Sequence, residues 1–298
     1  MSSTDREMMS RALQLAAKGR YTTSPNPAVG CVIALDGAVV AEGYTRPAGG
    51  NHAEIEALQS AGNIVGATAY VTLEPCSHQG KTGPCADALI AAGIARVVIA
   101  GEDPNPQVAG AGIKKLQDAG IEVDVGLLED QARDINSGFI KRQEQGTPWV
   151  TVKMAASLDG RTAMASGQSQ WITTPAARQD VQRLRATCCA IITGIGTQLM
   201  DDPSLTVRIT NEDVGVEDPL RQPLRVVVDS RLQMSPEARM LSQPGATVVA
   251  TLDGAEQRTK AEALTAAGAE VIFLPALGEH IDLQALLVEL AGRDCNKV

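Results

Sequence analysis

The sequence predicts an α/β protein of two domains, each a sheet flanked by helices, and three observations lead there. A chain of 298 residues with 44% apolar side chains can bury one large core or two ordinary ones, and two is the commoner outcome at this length. Short strand-like apolar runs alternate with helical segments along the chain, the pattern of a largely parallel sheet with covered faces. The turn formers Gln145-Gly-Thr-Pro148 interrupt that alternation. The predicted domains are therefore 1–146 and 147–298.

Thr4 and Glu7 form a capping-box signature before Met8, Met9, Ala12, Leu13 and Ala16, which recur at helical spacing. After the turn-rich Ser24-Pro-Asn-Pro-Ala28, two apolar runs, 29–35 and 38–44, flank Asp36-Gly37 and read as a β-hairpin. A helix over 52–61, a buried strand over 67–73 and a helix over 84–92 with proline in its first turn come next. Strand 96–100, helix 112–119, strand 121–125 and one polar helix over 129–143 complete the first half. In the second half a strand begins at 149–155, a helix covers 175–186, strands cover 190–193, 225–229 and 247–251, and a helix over 255–267 precedes a strand at 270–274.

The net charge of −9 is spread over both halves and aromatic residues make up 2%. A nucleic-acid protein usually carries a basic patch with stacking platforms, so nucleic acid is excluded as the expected partner and a small, anionic substrate fits better. No run of about 18 uncharged apolar residues is present, and Met1–Glu7 is polar and acidic, unlike a secretory signal. A cytoplasmic protein without a membrane partner is expected. Six cysteines in such a chain call for a metal, catalytic or packing explanation rather than disulfides.

His52-Ala-Glu54, then Pro75-Cys76 and Pro84-Cys85, supply one imidazole, two thiols and one spare carboxylate, the set of a zinc deaminase. Three protein ligands leave the fourth zinc position for water, whose pKa falls toward about 7. Glu54 is then free to take the water proton and pass it to the departing amine. Each residue alone is more commonly an unrelated core or surface side chain, but only three histidines exist and the joint pattern is specific. Cys31, Cys188, Cys189 and Cys295 lack ligand spacing and read as small buried hydrophobes, and His280 reads as a surface residue near a loop.

At these motifs the sequence resembles the bifunctional riboflavin-biosynthesis family, a diaminohydroxyphosphoribosylaminopyrimidine deaminase fused to a 5-amino-6-(5-phosphoribosylamino)uracil reductase. The long insert Cys76-Ser-His-Gln-Gly-Lys-Thr-Gly-Pro-Cys85 carries that resemblance, since nucleoside and tRNA deaminases usually have two residues between the thiols. Gly83 stands where the family usually has proline. The resemblance implies a cytidine-deaminase-like three-layer domain in which Asn26, His78, Lys81, Asp103 and Asn105 contact a pyrimidine ribosyl phosphate. Read from the residues alone, the Asn-Pro and Asp-Pro steps are simply turns.

Lys153-Met-Ala-Ala-Ser-Leu-Asp-Gly160, Ser166-Gly-Gln-Ser-Gln-Trp-Ile-Thr173, Thr193-Gly-Ile-Gly-Thr197 and Asp201-Asp-Pro-Ser-Leu-Thr-Val-Arg208 extend the likeness to the family's dihydrofolate-reductase-like α/β domain. It implies that Ala155, Trp171, Thr197 and Asp201 face NADPH, while Ser169, Arg185, Leu205 and Arg208 hold the phosphorylated substrate. For Lys153 an edge lysine and a substrate-pocket cation both stay open. The family continues beyond the position of Val298 into a strand and a glycine-rich cofactor loop. The second domain is therefore expected to be C-terminally incomplete, with weak or absent NADPH turnover if Val298 is the true end, and with exposed edges that a homo-oligomer would cover. The expected activity is hydrolytic deamination of 2,5-diamino-6-ribosylamino-4(3H)-pyrimidinone 5′-phosphate, then NADPH-dependent reduction of 5-amino-6-(5-phosphoribosylamino)uracil. The alternatives are a nucleoside or tRNA deaminase and a non-catalytic zinc-stabilised nucleotide-binding module.

Overall fold

Alternate residues of the first apolar run, Gly30–Leu35 (β1), point to opposite faces and seed two separate cores. Cys31 and Ile33 join one cluster of buried side chains, and Val32 and Ala34 join the other. The computed structural model describes residues 1–77, 83–105, 109–169 and 171–298. The chain divides into two compact units, Met1–Gly146 with Gly215–Pro219, and Thr147–Val214 with Leu220–Val298.

In the first unit the chain runs through α1 (Ser3–Gly19), β1, β2 (Ala38–Tyr44), α2 (Ala53–Ser60), β3 (Thr68–Val71), α3 (Cys85–Ala91), β4 (Arg96–Ile99), α4 (Ala111–Asp118), β5 (Glu122–Val125), α5 (Glu129–Ile135) and α6 (Ser137–Gln145). The sheet order is β2-β1-β3-β4-β5. β1 is antiparallel to β2 and β3, whereas β3, β4 and β5 are parallel. Asp36 and Gly37, both at positive φ, make the tight hairpin turn that their sequence announces. α1 packs Met8, Met9 and Ala12 on one face of the sheet. Residues Ala53, Ala57, Ala86, Leu89, Ile113 and Leu116 of α2, α3 and α4 cover the other. The result is three layers.

Two local expectations are corrected. The cap of α1 is Ser2 with Asp5, not Thr4 with Glu7: Ser2 Oγ accepts the Asp5 N–H at 3.1 Å and Asp5 Oδ2 accepts the Ser2 N–H at 2.6 Å. Asp5 also receives Arg96 and Tyr70, and this buried partnership explains why the earlier start wins. The polar helix expected over 129–143 is two helices broken at Asn136, whose φ of −106° and ψ of 18° leave the helical region. Its buried side chain accepts the Ala28 N–H at 2.8 Å and donates to the Ala28 carbonyl at 2.9 Å. The break frees that amide to satisfy a distant backbone.

The second unit contains α7 (Pro175–Thr187), β6 (Ala190–Gly194), α8 (Ile195–Asp201), β7 (Leu224–Val228), β8 (Thr247–Leu252), α9 (Ala255–Ala266), β9 (Glu270–Leu274) and α10 (Leu283–Gly292). Four of its strands form one parallel sheet in the order β6-β7-β8-β9. Leu286 and Leu290 of α10 pack with Val226 and Val248, and Leu264 of α9 packs with Val227 and Val249. α10, a helix beyond the elements that the sequence predicts, is capped by Asp282, whose Oδ1 accepts the N–H groups of Gln284 and Ala285. The strand expected from Trp149 is limited to one isolated bridge with Lys297 and a hydrogen bond from Thr151 N–H to Val298. Beyond it Val152 is 80% and Met154 73% exposed: the apolar character is there, but among the described residues no neighbouring strand pairs with it. Among the described residues no helix is long and apolar enough to cross a membrane.

Candidate active site

Four loops of the first unit emerge at one end of the sheet. Gly30 pairs with Tyr44 across the hairpin, and Cys31 pairs with Val71. The start of β1, the end of β2 and the end of β3 therefore coincide, and parallel β4 ends beside β3. The loop before β1 carries Asn26, the loop after β2 leads to His52, the loop after β3 carries Cys76, and the loop after β4 carries Asp103 and Asn105. α2 lies so close to β2 that a Cβ on Gly43 would sit 2.3 Å from the Ala53 carbonyl oxygen. Only glycine there allows the helix to carry His52 to the strand end.

His52 is the N-cap of α2 and Cys85 the first residue of α3. Their ligand atoms and Cys76 Sγ all lie within 4.8 Å of one another. His52 Nδ1 is 3.6 Å from Cys76 Sγ and 3.3 Å from Cys85 Sγ. Tetrahedral zinc with bonds of about 2.05 Å to nitrogen and 2.3 Å to sulfur would hold such a pair about 3.6 Å apart. The donor set and its spacing fit zinc. The backbone N–H of Cys85 points at Cys76 Sγ from 3.3 Å, as helix N-termini do for thiolates. Hydrogen bonding from the Cys85 thiol, then from His52, draws the Cys76 thiol well below its ordinary range. That same neighbour, together with burial, pushes the Cys85 thiol up.

Glu54, in the first turn of α2, is 3% exposed. Burial is the largest influence on it and lifts its carboxyl to about 7, against lowering by its own backbone N–H and by His52. A carboxyl poised there can take up and release a proton near neutrality. Asp103 Oδ1 accepts the Asn105 N–H at 2.8 Å, so the turn reading of Asp-Pro-Asn holds alongside any ligand role. Asn26 is half-buried in the loop that Asn136 clamps at Ala28. His78 and Lys81 lie outside the described residues. Sequence reading passed over Asn136 and over Glu74, a buried carboxylate beside Pro75 whose partners are described below; only its place before a Pro-Cys pair hinted at it.

In the second unit Thr197, Asp201, Leu205 and Arg208 lie on α8 and the segment after it, beyond the carboxyl end of β6, the usual ligand edge of a parallel sheet. Leu205 has φ of 50°, a backbone strain that a side-chain-bearing residue keeps only where its surroundings demand it. Arg185 donates to the Thr206 carbonyl at 2.7 Å. Burial first, then the positive charge of Arg208, lowers the Arg185 guanidinium from its ordinary value. An anion bound near Arg185 and Arg208 would offset that unfavourable charge interaction. Ala155 is half-buried, while Lys153 and Ser169 are exposed. Trp171, 69% exposed, carries the Arg178 guanidinium 4.4 Å above its ring. Gln198 Oε1 and Asp229 Oδ1, on α8 and just past β7, are buried without a hydrogen-bond partner among the described residues. Unpartnered acceptors beside the strand ends suit a polar dinucleotide there.

Residues 2–101 match the cytidine and deoxycytidylate deaminase zinc-binding region, and residues 148–298 match the RibD C-terminal domain. The riboflavin biosynthesis protein RibD of Escherichia coli is 50% identical over 300 residues, covering 99% of this chain and 80% of that protein. The Haemophilus influenzae RibD is 56% identical over 245 residues, covering 80% of this chain and 66% of its own length. Among solved structures, Acinetobacter baumannii RibD superposes with a TM-score of 0.88 at 44% identity, covering 99% of this chain and 79% of that one. The deaminase/reductase of Thermotoga maritima gives 0.86 at 36% identity, covering 99% and 80%.

Proposed function

This chain belongs to the RibD family of riboflavin-biosynthesis proteins, and from that premise we propose which of its residues perform each reaction. The protein is an enzyme of riboflavin biosynthesis with deaminase and reductase activities, zinc serving the first and NADPH the second. We assign the deamination to residues 1–146 and the reduction to residues 147–298. The observation that carries the first assignment is the convergence of His52, Cys76 and Cys85 within 4.8 Å beside a buried carboxyl at Glu54.

In the deamination His52 Nδ1 and the two thiolates hold zinc, which when bound supplies a Lewis acid that makes water nucleophilic near neutral pH. Glu54 takes the proton of the attacking water on a carboxylate oxygen. Its lifted pKa lets it return that proton to the departing amino group, so that ammonia leaves and a ring carbonyl remains. The substrate is 2,5-diamino-6-ribosylamino-4(3H)-pyrimidinone 5′-phosphate, contacted by Asn26, His78, Lys81, Asp103 and Asn105.

In the reduction Arg185 and Arg208 take the phosphate of 5-amino-6-(5-phosphoribosylamino)uracil, with Lys153, Ser169 and Leu205 completing its pocket. Ala155, Trp171, Thr197 and Asp201 line the nicotinamide cofactor, which supplies the hydride. The mutual repulsion of the two arginines supports the phosphate assignment, since a dianion between them converts a cost into charge-assisted hydrogen bonds. A net charge of −9 with 2% aromatics supports a small phosphate ester over nucleic acid as partner, and the six free cysteines suit a reducing cytoplasm. The exposed apolar side chains around Val152 and Trp171 support assembly as a homo-oligomer.

Ammonia release from the diaminopyrimidinone phosphate, measured beside cytidine with zinc-loaded protein, tests the reading. Turnover of the former alone is expected; turnover of cytidine alone would replace it with a nucleoside deaminase.

A further inference from the structure

Two residues before the candidate ligand Cys76, the buried side chain of Glu74 accepts, among the described residues, only backbone hydrogen bonds, and these four come from Asp103, Gly110, Gly112 and Ile113. Oε2 accepts the N–H groups of Asp103 at 3.2 Å and Gly110 at 2.9 Å. Oε1 accepts those of Gly112 at 2.8 Å and Ile113 at 3.3 Å. The Glu74 N–H in turn donates to the Gly101 carbonyl at 3.0 Å. One oxygen thus ties Asp103 to Gly110, and the other receives the opening turn of α4. No cation is needed, because four aligned N–H dipoles balance the carboxylate.

The contact is as close as backbone allows. A Cβ on Gly112 would sit 2.0 Å from the Pro75 carbonyl oxygen and 3.2 Å from Glu74 Oε1. The metal-ligand segment 74–76 and the start of α4 therefore share one rigid frame, and the loop bearing Asp103 and Asn105 hangs from it. We infer that Glu74 is a positioning residue for the deamination, setting the substrate wall at Asp103 and Asn105 in register with the metal ligand Cys76. This rests on the assignment of those two residues to the substrate.

A glutamine has the same shape but offers an NH2 group where two N–H donors already point, so at least one end of the clamp opens. For zinc-loaded Glu74→Gln the substrate KM is expected to rise about tenfold with kcat changed much less, as for a displaced binding wall. Zinc per chain should stay at the wild-type level, and amide hydrogen exchange should speed up at residues 103, 110, 112 and 113 but not in α2. A carboxylate with only a structural role would lower the melting temperature and zinc occupancy yet leave the KM of the folded, loaded fraction unchanged. An unchanged KM, or wild-type protection at those four amides, overturns the inference. Should the glutamine variant not fold, Glu74→Asp, which keeps the charge but shortens the reach, is read in the same way and should give an intermediate KM. Failure of the functional reading is a separate outcome: zinc-loaded wild type would release no ammonia, while the four amides would still report whether Glu74 holds the loop.

Discussion

The candidate sites of the two units hold their polar groups differently. In the first, Glu54, Glu74 and Asn136 are buried, and the latter two hold, through backbone partners, the chain beside Asp103 and Asn26, which we assign to the pyrimidine substrate. In the second, the residues assigned to NADPH sit on largely exposed segments, and the buried acceptors Gln198 Oε1 and Asp229 Oδ1 lack hydrogen-bond partners among the described residues. A site that must activate water needs its charges preorganised in a dry environment. A site that receives a large dinucleotide can leave part of its wall for the ligand to complete.

Separate substitutions can break or sharpen this contrast. The largest effect is expected from Glu54→Gln, which should cost on the order of 10³-fold in ammonia release, the range for loss of a general acid–base group. Zinc content and hydride transfer to the deaminated substrate should be retained; a parallel fall in both activities would mean that the units do not work independently. Cys76→Ser should reduce zinc content and deamination together, measured by metal analysis and ammonia assay, again with the reduction spared. Replacing Arg185 or Arg208 with methionine should raise the reductase KM for the phosphate ester by about 10- to 100-fold, the loss of one or two charge-assisted hydrogen bonds. Ammonia release should stay as in wild type, and an unchanged reductase KM would remove both arginines from the phosphate site.

The candidate metal cluster was legible in the sequence because metal chemistry restricts residue type: His52-Ala-Glu54 and two Pro-Cys pairs have few other uses together. The strands and most helices were legible because periodicity and turn residues report local geometry. Glu74 and Asn136 were not, because their partners are backbone groups 29 to 39 and 108 positions away, and a backbone N–H has no residue signature. The strand expected from Trp149 failed for a related reason, since an extended apolar run does not say which edge, if any, pairs with it. α10 was overlooked although Asp282 followed by Leu283, Leu286 and Leu290 carries the signature of a capped amphipathic helix.

Two smaller effects test whether the first unit is as preorganised as its hydrogen bonds imply. Asn136→Leu leaves the buried N–H and carbonyl of Ala28 without partners, at about 1–3 kcal/mol each. Chemical denaturation should register a loss of this order in the first unit, with the substrate KM rising as the Asn26 loop loosens; full stability would mean that water replaces the amide. The smallest effect concerns Asp5, whose carboxyl is held well below the ordinary carboxylate range first by its hydrogen bond with Arg96, and further by Ser2 and Tyr70. Because the folded value is depressed, the ionised carboxylate stabilises the fold fully above the unfolded pKa, about 4, and the contribution fades as pH falls below it. Asp5→Asn should therefore be less stable than wild type at pH 6, and the gap should narrow steadily below about pH 4. A gap that stayed constant down to pH 2 would mean that Asp5 stabilises α1 through capping geometry alone and not through its charge on Arg96.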